Sequence, residues 1–455
     1  MQHPGTAALP VPRAPGAWPA AGHAPHMLRR RLAFLRELRE HGPLVEIRLG
    51  RKRAYVVNDP ELIHEVLGRR AGDFGLSPQF RLMRHIIGDG LLVTDGAVHR
   101  RQRALVMPAF HRDSVRTYAP VVTEAARRRF GGWREGELLS FDEEFGSLAA
   151  EVVARCLFSS DCDQETADRI AEDLPHLMTW VGSRGFDPTG LLARLPTGVN
   201  RRFRAGNARM HATVDRILAE RRGTDRGEGD LLAMLQGARD ADSGDGMSDR
   251  QVHDEAMTVL AAGTDTVSHT LSWCAYLLAR NPDVQDRLHA ETDRELAGRE
   301  PGYDDVERLV YMRMVLSEVL RMYPAGYLVS RSATADTVLG GRAVPAGTMV
   351  LISTYALHRD PAYFPGPDTF DPDRWSEGAP APRGGPVKHY LPFGLGPHGC
   401  VGEAFAWTQM AMVLATLANR WSLHPVTDRP VEPVPTFTLT TGALPLRVRR
   451  RHARP

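Results

Sequence analysis

The sequence of 455 residues is poor in cysteine, and what little it has is scattered. Cys156, Cys162, Cys274 and Cys400 form no C-x-x-C pair and no zinc-like set, which argues against a disulfide framework or a structural zinc site. Lysine is almost missing, Lys52 and Lys388 being the pair present, and arginine carries the basicity as in GC-rich coding sequence. Charge of either sign is not in excess. The formal net charge is +2, so nothing in the balance demands nucleic acid or an anionic membrane surface. Runs of 18 or more apolar residues do not occur, and membrane insertion is not expected. Prolines and arginines interrupt every apolar stretch in the first forty residues, leaving no secretory h-region. Reduced thiols and no export signal point to the cytoplasm. HExxH, P-loop and G-x-S-x-G motifs are also missing, so those chemistries have no foothold.

What is present is a globular balance of 42% hydrophobic and 25% charged residues, enough for a large core. The length alone suggests two or three domains. Yet no repeat, linker or second composition regime appears, so the expectation is one domain over residues 14–455 after a disordered Pro/Gly/Ala-rich start at 1–13. "LVEIRLGRKRAYVVND" reads as two strands around Gly50, followed by a helix capped by Asp59 with Pro60 at its first position. Residues 98–322 are overwhelmingly helical in pattern. Within them Ser248 to Arg280 contains no proline until Asn281-Pro282, a helix of roughly thirty residues and ~45 Å. "TVLGGRAVPAGTMVLIST" alternates like a hairpin, and "HRDPAYFPGPDTFDPDRW" is irregular. The fold class expected is mainly α with a smaller β region (α+β).

One cysteine stands apart. Cys156 and Cys274 sit in apolar helical runs as small hydrophobes, and Cys162 is a loop thiol. Cys400 lies in "PFGLGPHGCVG", among glycines at 394, 396, 399 and 402 and just ahead of a helix running from Gly402 to about Asn419. A metal ligand, a nucleophile and a buried apolar residue are all open readings; a helix N-terminus favours the thiolate. Elsewhere "EVLR" sets Glu318 and Arg321 three apart on an apolar helix, where burial would call for a further partner. "LAAGTDTVS" puts Gly263 in mid-helix at a cost of about 1 kcal/mol, read by default as a kink or a tight helix crossing. "HRRQRALVMPAF" is by default a solvated basic face.

Phe393-Gly394-x-Gly396-x-His398-x-Cys400-x-Gly402 resembles the haem-binding signature of the cytochrome P-450 haem-thiolate monooxygenases. The resemblance spans roughly residues 14 to 448 and implies the fold of that family, with haem buried between the long central helix and the cysteine-loop helix. It implies haem b as cofactor and Cys400 as its thiolate ligand, with Phe393, Gly394, His398 and Gly402 framing the loop. His99, Arg103, Arg331 and His398 match donors to the haem propionates. Ala262, Gly263, Asp265 and Thr266 match the oxygen-binding groove, with Asp265 and Thr266 as the proton-relaying pair. "FDPDRW" supplies Arg374 as the third member of a structural network with Glu318 and Arg321. Val259, Ala262, Ala325, Leu328 and Phe437 would line an apolar substrate pocket, with contributions from around Phe80–Leu92 and Met178–Leu195.

By the same resemblance the protein is a monomeric enzyme that inserts one oxygen atom from O2 into a hydrophobic small molecule. It is similar to actinobacterial members that oxidise terpenoid skeletons in secondary metabolism. Electrons would come from NAD(P)H through a separate ferredoxin and its reductase, meeting exposed Arg100 and Arg101. Two alternatives stay open: a peroxide-driven or non-oxygenating relative, and a haem-binding sensor or carrier. Asp265–Thr266 favours monooxygenation over both. Glu403 and Trp407 depart from the small and basic residues many members carry there.

Overall fold

The structure is a computed structural model, and it describes residues 9–159, 163–184, 192–221, 229–376 and 388–451. Cys162 lies outside these residues. Two compact units are formed, one from the described parts of Met1–Arg81, Gly326–Thr369 and Pro386–Cys400, the other from the rest. Each unit is stitched from separate stretches of chain, which is why no linker or composition shift marks either in the sequence.

The first unit is built on a five-stranded sheet in the order Leu44–Leu49, Lys52–Val57, Met349–Ile352, Val329–Ala333, Phe74–Leu76. The opening hairpin is antiparallel and turns at Gly50, whose φ of +62° suits glycine. Lys52–Val57 then pairs in parallel with Met349–Ile352, placing Ala54 beside Met349. Leu44, Tyr55, Ile63, Val66, Phe74, Val350 and Ile352 bury their side chains in one core. Alternation in "TVLGGRAV" is realised as a hairpin of Thr337–Leu339 and Arg342–Val344 turning at Gly340-Gly341, while Met349–Ile352 joins the large sheet instead. Asp59 caps Pro60–His64 by accepting the Leu62 N–H at 3.0 Å. Residues 9–13, expected to belong to a disordered start, are ordered: Leu9 bridges Arg342 and Arg13 bridges Glu46, while residues 1–8 lie outside the described residues.

The second unit is helical. Its axis is the helix Asp249–Arg280, 32 residues long, started by a capping box between Ser248 and Gln251 and ended at Asn281. It packs against Phe141–Phe158, Val310–Met322 and the cysteine-loop helix Glu403–Arg420. Met178, expected in a poorly patterned stretch, lies inside the regular helix Gln164–Arg184. Cys156 and Cys274 are buried, and burial pushes both thiols up, as expected of packed hydrophobes. A three-stranded sheet of Leu138–Ser140, Pro445–Arg450 and Trp421–Pro425 completes this unit. Among the described residues no helix is long and apolar enough to cross a membrane.

Candidate functional site

The cysteine loop is held by backbone rather than by bulk. The Cys400 N–H donates to the Phe393 carbonyl at 2.8 Å, and the Gly394 N–H to the Leu391 carbonyl at 3.2 Å. Leu391 in turn donates its N–H to Nε2 of the buried His358 at 2.9 Å. Gly394 and Gly396 have φ of +73° and +70°. At Gly396 a side chain is impossible for a second reason: its Cβ would overlap the carbonyl oxygen of Leu67. A tight turn at Gly396–His398 follows, closed by the Gly399 N–H on the Gly396 carbonyl at 2.9 Å. The result is an exposed Cys400 on a pinned loop. Arg331, from the strand Val329–Ala333 of the same unit, is buried with its guanidinium carbon 5.9 Å from the Phe80 ring centre.

In the second unit the chain resumes at Val401, and the Gly402 carbonyl accepts the Ala406 N–H at 2.8 Å to start the cysteine-loop helix. Phe405 anchors that start, edge-on to Tyr118 at 5.9 Å and to Phe110 at 6.4 Å. His99 is buried and Arg103 half-buried on the helix Gly96–Val106, one turn apart on one face. Arg101 differs from the sequence expectation. It sits 3.7 Å from Asp240 and donates to the Gly246 carbonyl at 3.2 Å, while Arg100 is exposed. Glu403 and Trp407 hydrogen-bond each other, and Arg313 stands 5.6 Å over the Trp407 ring.

The long helix is buried from Val252 through Ala261, and then Ala262 is exposed. Gly263 answers the choice between kink and crossing. The helix is unbroken, and a Cβ at Gly263 would lie 3.1 Å from Val153 Cγ2 on Phe141–Phe158, so the glycine admits a close crossing. Thr266 turns its hydroxyl back to the Ala262 carbonyl at 2.8 Å, and Thr270 does the same to Thr266 at 2.8 Å. Asp265 is buried and accepts the Thr438 hydroxyl at 2.7 Å. Val259 is buried one turn before Ala262. Ala325 accepts the Leu439 N–H at 3.2 Å, which brings the turn containing half-buried Phe437 to it. Leu328, half-buried, belongs to the first unit.

The expected charge network is present and larger than the sequence suggested. Glu318 and Arg321 are both 0% exposed, and Arg321 grips Glu318 through Nε and Nη2 at 2.8 Å each. Arg374 Nε donates at 3.4 Å. Two donors went unread in the sequence: Trp375 Nε1 at 2.9 Å and the Asp371 N–H at 3.1 Å. Also unread was Glu255, buried on the long helix two turns before Ala262. One of its oxygens accepts the Leu91 N–H at 3.1 Å, and the other has no partner among the described residues. Burial, relieved in part by that N–H, pushes its carboxyl up to about 7.

This arrangement sets limits on what Cys400 can hold. Among the described residues no three His, Cys, Asp or Glu side chains gather to take a metal ion. A lone thiolate is too few ligands for a bare ion, so a metal at Cys400 would have to arrive with ligands of its own. An iron macrocycle meets that requirement. In the unit that carries Cys400, buried Arg331 and half-buried His398 are of the right chemistry for its carboxylates.

The sequence matches the Cytochrome P450 family over residues 12–448. It is 42% identical to cyclooctatin synthase of Streptomyces melanosporofaciens, over 95% of this chain and 94% of that protein. Identity is 40% to cyclooctat-9-en-7-ol 5-monooxygenase of the same organism, over 95% and 94%. With pentalenene oxygenase of Streptomyces avermitilis it is 35%, over 96% of each. The crystal structure of the cytochrome P450DA heme domain is similar with a TM-score of 0.87 and 27% identity, covering 98% of both chains.

Proposed function

The chain belongs to the cytochrome P450 family and is a haem b monooxygenase, and we propose that it inserts one oxygen atom from O2 into a terpenoid. The observation carrying this substrate class is full-length identity of 35–42% to three oxygenases, two of whose names specify cyclooctat-9-en-7-ol and pentalenene. The apolar character of Val259, Ala262, Ala325, Leu328 and Phe437 suits such a skeleton, because burying apolar area drives the binding of a ligand with few polar atoms.

Cys400 is the proposed thiolate ligand. The bound haem supplies the iron at which dioxygen is activated, and a thiolate favours cleavage of the O–O bond. His99, Arg103, Arg331 and His398 hold the propionates in this reading, with Phe393, Gly394 and Gly402 shaping the loop. Ala262 keeps the exposed face of the long helix free of bulk, whereas Gly263, expected beside the cofactor, turns its bare Cα toward Val153 and serves the helix crossing. Thr266 can swing its hydroxyl proton from the Ala262 carbonyl toward an incoming acceptor, since that hydrogen bond costs about 1 kcal/mol to exchange for another. Asp265 is the acid that relays the next proton in this reading. Glu318, Arg321 and Arg374 are structural. Electrons come from NAD(P)H through a ferredoxin that meets exposed Arg100, the protein acting as a monomer.

A spin-state titration tests the substrate class. Cyclooctat-9-en-7-ol and pentalenene should shift the haem toward high spin, and turnover with a surrogate ferredoxin and reductase should give a product carrying one added oxygen from O2. Saturating terpenoids that leave the spectrum unmoved, while fatty acids shift it, would overturn the reading. For the ligand, a folded Cys400→Ala protein should lose the red-shifted Soret band of the reduced carbon monoxide form; keeping it refutes Cys400.

A further inference from the structure

We infer that Thr438 and His269 form a proton line into Asp265, an inference resting on the reading of Asp265 given above. Thr438 Oγ1 donates to Asp265 Oδ2 at 2.7 Å, and His269 Nδ1 lies 2.9 Å from the same hydroxyl oxygen. A threonine hydroxyl has one proton. With that proton on the carboxylate, the contact to His269 requires the hydrogen on Nδ1. The direction is thereby set: Nδ1–H to Thr438, Thr438 O–H to Asp265. His269 and Asp265 stand one turn apart on one helix face, 3.9 Å from each other, too far for a direct hydrogen bond. The hydroxyl is the bridge.

The bridge is anchored from three sides. Thr438's carbonyl accepts both the N–H and the hydroxyl of Thr436, each at 2.9 Å. Leu439, next in the chain, donates to Ala325 at 3.2 Å and accepts Trp273 Nε1 at 2.9 Å. Trp273 itself lies flat on Tyr323 at 3.7 Å. Asp265 and Thr438 are buried, whereas the His269 side chain keeps 19% of its surface in solvent. Solvent therefore meets the line at the histidine end. Asp265 is the charged group facing the ring, from its own helix, and Thr438 is the polar group facing it from the turn.

The step balances with solvent hydronium as proton source. Hydronium protonates Nε2 to give the imidazolium and leaves water behind. The Nδ1 proton passes to Thr438 Oγ1 as the Thr438 proton passes to Asp265 Oδ2, leaving a neutral imidazole and a carboxylic acid. Once Asp265 has given up its proton, the hydroxyl rotates back to the carboxylate, and the ring, left with its hydrogen on Nε2, resets by solvent exchange, Nε2 releasing its proton and Nδ1 taking one, so that each cycle draws one net proton from solvent. His269 and Thr438 touch neither substrate nor cofactor in this scheme; they act through Asp265.

The deciding measurement is 15N NMR of histidine-labelled holoprotein in its diamagnetic reduced carbon monoxide form. Neutral His269 should carry its hydrogen on Nδ1. Thr438→Val should move it to Nε2, and Thr438→Ser should leave it in place. A wild-type His269 with bare Nδ1 overturns the line outright. With cyclooctat-9-en-7-ol as probe, Thr438→Val and His269→Asn should each raise the share of electrons lost as hydrogen peroxide about fivefold, below the ceiling for general acid catalysis. The double variant should do no worse than either, and Thr438→Ser should couple like wild type. His269→Asn keeps an N–H donor but cannot release a proton, so wild-type coupling and pH profile in that variant refute proton transfer. Asp265→Asn separates the two readings. If it uncouples while the other variants do not, the line fails and Asp265 stands; if it stays coupled, the reading of Asp265 fails and the line falls with it.

Discussion

Replacing Glu318 by alanine removes the acceptor for five hydrogen bonds at once: two from Arg321, one each from Arg374, Trp375 and the Asp371 N–H. The largest loss is electrostatic. Arg321 is 0% exposed, and breaking a buried pair from one side costs about 3–5 kcal/mol. The buried indole N–H of Trp375 adds about 1–3 kcal/mol if nothing replaces its acceptor. These terms overlap, yet their sum approaches the roughly 5–15 kcal/mol that holds a typical protein folded. Glu318→Ala should therefore express as haem-poor protein, with a urea midpoint too low to measure or an unfolding free energy reduced by about 4 kcal/mol. Glu318→Ala combined with Arg321→Met should recover part of the loss, because the stranded charge has been removed with its partner. The assay is haem content and urea unfolding on all three proteins. A Glu318→Ala protein that keeps its haem and unfolds within about 1 kcal/mol of wild type refutes the argument.

Glu255 makes stability depend on pH. Its folded value of about 7 lies above the ordinary 4.5, so its contribution is whole below 4.5 and is lost as pH rises through 7. Relative to wild type, Glu255→Gln should gain about 3 kcal/mol between pH 4.5 and 8 in urea melts, and an unchanged difference would contradict its burial as a neutral acid. Gly263→Val should cost about 1–3 kcal/mol by pressing on Val153, and Val153→Ala should restore most of it. Gly396→Ala meets both a left-handed φ and the Leu67 carbonyl, so it should weaken haem retention far more than Gly50→Ala, where φ is +62° but nothing lies within 4 Å.

Local chemistry was readable where one stretch of chain contains its own cause. The long helix announced itself through Ser248, the proline-free run and Asn281-Pro282, and the cysteine loop through its glycines, two of which, Gly394 and Gly396, take the left-handed φ that glycine suits. Glu318 and Arg321 were legible as a pair because they are three apart on an apolar helix. Trp375 as a donor to Glu318 was not, since an indole in a proline-rich stretch gives no sign of where its N–H points. Thr438 is harder still. It lies more than 170 residues from Asp265, and a threonine in a C-terminal turn has a dozen ordinary uses. Gly263 shows a different limit: sequence gives the cost of a mid-helix glycine but not whether a bend or a neighbour repays it. Val153 supplied the answer from another helix.

The parallel pairing of Ala54 with Met349 has a consequence for how the chain is made. Ribosomes add about 5–20 residues per second, so the Leu44–Val57 hairpin waits roughly 15–60 s before its neighbour strand emerges. Throughout that interval the edge of Lys52–Val57 presents unsatisfied N–H and C=O groups to any passing strand. Lys52 and Arg53, both exposed, stand at the start of that edge and repel other cationic chains. The cysteine loop, residues 392–402, is synthesised after every strand of the sheet in its own unit, so it meets a sheet that can already be closed.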